Sequence, residues 1–78
     1  MRKKEMKLVV TFHTTADAMA TERVCLDEKF PGRLIPVPRT ISAGCGLSWC
    51  CDESLEEQIV TLLSEHQIEH EGVHHVLV

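Results

Sequence analysis

Pro36 and Pro38, two residues apart, constrain the fold more than any other feature of the chain. Each fixes φ near about −65° and removes a backbone donor, so the chain around Val37 runs extended, at the edge of a sheet or where it leaves one. Both belong to a stretch, PGRLIPVPRTISAGCG, that holds all three prolines and three of the four glycines. No regular helix crosses such a stretch, and it divides the chain into two halves of similar layout.

In the first half, KLVVTF (residues 7–12) is β-branched and bounded by polar residues. It reads as a strand with Leu8 and Val10 on one face, apolar enough to lie inside a sheet. A threonine at 14 or 15 is suited to cap a helix over residues 16–29, with Asp17 acidic in its first turn. Ala18, Met19, Cys25 and Leu26 form its apolar arc, interrupted by Glu22, with Ala20 and Val24 elsewhere. Cys25 on that arc reads as packing. Pro31-Gly32 ends the helix, and residues 33–37 form a second strand that the prolines confine to an edge.

In the second half, residues 47–51 form a third strand, with Leu47, Trp49 and Cys51 on one face and Ser48 and Cys50 on the other. Trp49 and Phe12 belong in the core. Asp52 is one candidate N-cap for the second helix; Ser54, with Glu57 three residues on, is another. Leu55, Ile59, Leu62, Leu63 and His66 make the stripe of a helix lying on a surface, with Glu56, Glu57 and Glu65 turned to solvent. Ile68 begins an extended tail whose last part, residues 73–78, is the final strand. The order β-α-β, β-α-β predicts a ferredoxin-like α+β sandwich, an antiparallel sheet with two helices on one face. Its other face is open or covered by a partner, which suits a homodimer.

With 78 residues there is room for one domain, over residues 7–78 behind a basic tail, residues 1–6, and none for a separate catalytic domain. The 44% hydrophobic and 26% charged content excludes disorder as the main state. A formal charge of −4 argues against nucleic acid as a partner. No apolar run reaches the ~18 residues of a membrane span and no signal-peptide core precedes the first strand, so a cytoplasmic protein with reduced thiols is expected. Cys50 and Cys51 are adjacent, which strains any bond between them.

Gly44 and Gly46 let the backbone take positive φ or approach another molecule closely and leave Cys45 with no bulky neighbour on either side, and Arg33 and Arg39 add cations to the same segment. A nearby cation lowers a thiol's pKa below its free value of about 8.5. Two readings stand at this position: a reactive or ligand-carrying thiol, and a small apolar residue buried in a tight turn. Arg39, beside Thr40 and Ser42, is the stronger anion-binding candidate of the two arginines; Arg33 reads as a solvated edge position. His13, after the first strand, is placed as a loop base toward the thiol or a solvated helix-entry residue. There is no CxxC and no HxxxH, so zinc held by Cys45, Cys50 or Cys51 with His70, His74 or His75 would depend on the fold gathering them. Surface positions on a strand are the simpler reading of those histidines, and neither a metal nor a cofactor is expected. No carboxylate pair, phosphate-binding glycine loop or Ser-His-Asp spacing supports a hydrolase or kinase.

With VVTF, TADA, PGRLIPVPR, ISAGCGL and the C-terminal helix and strand in view, residues 7–76 resemble the selenium/sulfur carrier protein-like family of small bacterial domains. The resemblance implies that Cys45 holds sulfur or selenium. Pro36, Pro38, Arg39, Ser42, Gly44 and Gly46 match the same motif, and Arg39, Ser42, Gly44 and Gly46 are read with it as the substrate- or anion-binding set. It further implies a bacterial cytoplasmic protein that handles persulfide or selenium with donor and acceptor proteins, a carrier more than a stand-alone enzyme. Cys50 and Cys51 lie outside the motif, and their nearness to Cys45 suggests a resolving thiol. The alternatives are a thiol-based metal or redox-sensing module and a non-catalytic dimerising interaction domain.

Overall fold

The computed structural model describes residues 5–41 and 45–78. Leu8 and Val10 alternate along strand β1, Met6–Thr11, and with Phe12 just beyond it they are fully buried on one side of the sheet. Helix α1, Thr15–Asp27, follows, with the Thr14 hydroxyl accepting from the Asp17 amide at 3.1 Å as the N-cap.

The buried face of α1 differs from the expected arc. Ala18, Thr21 and Cys25 are buried, while Met19 and Leu26 are 57% and 70% exposed. Small side chains at i, i+3 and i+7 bring the helix close to the sheet. Thr21 is tolerated there because its hydroxyl donates to the Asp17 carbonyl at 2.9 Å. A hydrophobicity pattern alone assigns such a face to the larger residues.

The remaining elements are strands β2, Arg33–Pro36, and β3, Leu47–Asp52, a single 3-10 turn at Glu53–Leu55, helix α2, Glu56–Glu65, and strand β4, Gly72–Leu77. The sheet order is β2-β3-β1-β4 and every neighbouring pair is antiparallel. This is the ferredoxin-like βαββαβ sandwich, with β1 in the interior and the proline-bearing β2 at an edge. Both helices close in the same way. Lys29 and Gln67 take positive φ, 56° and 57°, and the amides of Phe30 and Ile68 reach back to the Cys25 and Leu63 carbonyls at 2.8 and 2.9 Å. That bond satisfies carbonyls the helix would leave orphaned, and Phe30 and Ile68 pack against the core as they do so.

Asp52 caps the 3-10 turn, accepting from the Ser54 amide at 2.9 Å, and the alternative start at Ser54 is not used. On α2 the buried positions are Ile59, Leu62 and Leu63. His66 leaves that stripe: it is exposed, and its Nε2 lies 2.8 Å from the Glu28 carboxylate, tying the C-terminal ends of the two helices. Trp49, 2% exposed, is the largest side chain of the core, and its Nε1 has no hydrogen-bond partner among the described residues. On the helix-free face Val9, Thr11, Ser48 and Cys50 are also buried. The Ser48 hydroxyl donates to the Ile35 carbonyl and that of Thr11 to the Gly72 carbonyl, both at 3.3 Å. No helix among the described residues is long and apolar enough to cross a membrane.

His75 on β4 holds two carboxylates, Glu53 at 2.6 Å through Nδ1 and Glu56 at 3.1 Å through Nε2. Carboxylates only accept, so satisfying both requires a proton on each ring nitrogen, and the Glu53 bond first, then Glu56, raises the His75 pKa above its usual value. A group raised in the folded state stabilises fully below its unfolded pKa of about 6.5 and loses that contribution as pH rises through the folded value. Between about pH 6 and about pH 8 the native protein is therefore expected to lose stability relative to a His75→Gln variant, measured as the denaturation midpoint at each pH. A difference that is flat across this window would contradict the assignment. The pair is exposed, so the effect is small.

Candidate functional site

The connection between β2 and β3 continues their hairpin for one step, with the Val37 amide donating to the Gly46 carbonyl at 3.0 Å. Pro38 then turns the chain, its carbonyl accepting from Ile41 at 2.9 Å. Gly46 has φ +80° in open space, where a Cβ would touch nothing, so glycine is needed there for conformation and not for room. The bend at Gly46 folds the Leu47 amide back onto Cys45. That amide donates to Sγ at 3.4 Å, and the thiol donates to the Leu47 carbonyl at 3.3 Å. The cysteine thus makes the i to i+2 side-chain contacts by which Asn or Ser organise turns.

Cys45 is half-buried, with one side against the helix-side core. The other three thiols are buried, Cys50 at the floor of a groove. Burial pushes the Cys25 thiol up to about 11 and the Cys51 thiol up to about 12, and it raises that of Cys50, where Arg33 and Lys7 partly offset it. All four cysteines are free. The Cys45 sulfur rests against Leu47, and β3 then runs extended for about 10 Å before reaching Cys50, farther than a disulfide spans. A resolving role for Cys50, or for Cys51 beyond it, would require β3 to move.

Arg39 is exposed and lines a groove with Arg33, Lys7 and Cys50, and Cys45 is not among that groove's lining residues. Ser42 and Gly44 lie outside the described residues. His13 shares a hollow with His70, Val60 and Ser64, and Cys45 does not line it. His74 lies 3.4 Å from the Thr11 hydroxyl. Among the described residues no three His, Cys, Asp or Glu side chains gather into a metal-binding group. Two features escape a reading of the sequence: the Leu47 amide against the sulfur, and the convergence of Lys7 and Arg33 on Cys50. The first depends on the φ of Gly46 and the second on strand pairing. The alternation that puts Ser48 and Cys50 on one face of β3 was the available signal for the second.

A protein-family model described as "Putative Se/S carrier protein-like" matches residues 7–75. The chain belongs to this family. The matched region runs from β1 into β4, so this Se/S carrier-like chain is covered over every element of its sandwich, including the turn that presents Cys45. No curated protein and no solved structure matches it.

Proposed function

We propose that Cys45 carries sulfur or selenium as a persulfide or selenosulfide and hands it to a partner protein. The observation that carries the reading is the contrast among the four thiols: three are buried, and Cys45, held in the Gly46 turn, is only half-buried and has an amide hydrogen on its sulfur. In loading, the Cys45 thiolate attacks the outer sulfur of a donor persulfide. A new S–S bond forms as the donor's S–S bond breaks, and the donor leaves as a thiolate, with no net oxidation. An acceptor thiolate repeats the exchange on the outer sulfur and returns Cys45 to its thiolate. Selenium follows the same course with a selenium atom in the outer position. The Leu47 amide points a fixed partial positive charge at the sulfur through both steps. Ser42, Gly44 and Gly46 are assigned to the charged cargo as the loop's hydroxyl and backbone amides, with Arg39 as the loop's cation, reaching the cargo from the groove it lines.

The test is treatment of the native protein with glutathione persulfide, followed by intact mass and peptide mapping. One added sulfur on Cys45 is expected, with uptake lost in Cys45→Ser and kept in Cys50→Ser. Undiminished uptake by folded Cys45→Ser overturns the proposal.

A further inference from the structure

On the helix-free face lies an open groove of about 630 Å³. Its apolar lining comes from Ile35, Pro36, Val37, Pro38, Cys50 and Val78, and its charged lining from Lys7, Arg33, Arg39 and Glu5. Among the lining side chains three cations stand against one carboxylate, with Asp52 opposite Lys7 outside the lining, in a chain whose formal charge is −4. Glu5 bridges Lys7 at 3.4 Å, whereas among the described residues no carboxylate pairs with Arg33 or Arg39. Strand register explains the convergence. Arg33 stands directly opposite Cys50 on β3, and Lys7 stands opposite Asp52, one diagonal step from Cys50 on the same face. Two cations thus flank one small buried side chain, and both act on its thiol. Volume and lining match a small-molecule site, which is mostly apolar with a few converging polar groups.

We propose that this groove binds a small amphipathic organic anion, its acidic head between Arg33 and Lys7 and its apolar body along Ile35, Val37 and the two prolines. The prolines favour a small molecule over a peptide strand: Pro36 and Pro38 carry no amide hydrogen, so this end of the β2 edge lacks the regular donors that strand addition uses. Forked donors on Arg33 suit a carboxylate, and the floor at Cys50 leaves room for a head group because its side chain is short. The site does not depend on Cys45, which does not line it.

Octanoate titrated into the full chain, followed by amide chemical shifts, tests the proposal, with octylammonium as the opposite-charge control and Cys45→Ser protein run in parallel. Saturable shifts confined to Lys7, Arg33, Ile35, Val37 and Cys50 are expected with octanoate, absent with octylammonium and unchanged in Cys45→Ser. Arg33→Glu, at an exposed position, should weaken octanoate binding at least about tenfold while leaving the remaining spectrum native. Equal shifts with octylammonium, no saturable shift with octanoate, or undiminished binding by folded Arg33→Glu would each overturn it. None of these results bears on sulfur loading at Cys45, so the two proposals fail separately.

Discussion

Replacing Gly32 by alanine is expected to remove about 3 kcal/mol or more of folding stability. Gly32 has φ +134°, which L side chains rarely adopt, and a Cβ there would fall 2.7 Å from the Cys50 carbonyl oxygen and 2.7 and 2.8 Å from two atoms of the Trp49 ring. Neither neighbour can yield cheaply. The carbonyl belongs to β3, inside the sheet, and the indole is the largest side chain of the core. Gly32 also leads straight into β2, so relief of the clash would displace that edge strand, and with it the groove and the start of the Cys45 connection. Urea denaturation of Gly32→Ala beside the native protein measures the cost. A loss within about 0.5 kcal/mol would mean the packing of Trp49 against residue 32 is looser than described.

Much of this architecture was legible because local signals agreed with one another. The β-branched run of β1, the threonine cap of α1, the stripe of Ile59, Leu62 and Leu63, and the prolines that confine β2 to an edge each dictate one element, and together they allow few topologies. Where the reading failed, a polar contact had replaced a hydrophobic one. Thr21 takes an inward position on α1 because its hydroxyl is satisfied within the helix, leaving Met19 and Leu26 outside. His66 leaves the α2 stripe for a carboxylate on the other helix. The His66 pairing depends on where two helices end in space, which no local stretch of sequence encodes.

For the site, the glycine after Cys45 was legible as a conformational signal, and its positive φ accounts for the sulfur's amide contact. The placing of Arg39 was not legible. Its nearness in sequence suggested a cation beside the thiol, yet it lines a groove that Cys45 does not share, with Cys50 from the helix-free face of β3. Lys7 and Arg33 join it there only because β1 and β2 flank β3, a fact of strand order.

The four thiols should differ sharply in reactivity. At neutral pH a thiol held at about 11 is ionised to roughly one part in 10⁴, and one at about 12 to roughly one part in 10⁵, so Cys25 and Cys51 offer almost no thiolate even before burial blocks the reagent. Cys50 is raised as well and is only 8% exposed. Cys25 and Cys51 therefore wait for the fold to open and Cys50, on the floor of its groove, is slowed by burial, whereas the Cys45 sulfur is reached from its half-buried turn. Site-resolved alkylation of the native protein with iodoacetamide, quenched over time and mapped by peptide mass, compares all four at once. Cys45 is expected to be labelled first, at least about a hundredfold faster than Cys25 and Cys51. Labelling of Cys50 ahead of Cys45, or of all four together at the rate of unfolding, would contradict a carrier role for Cys45.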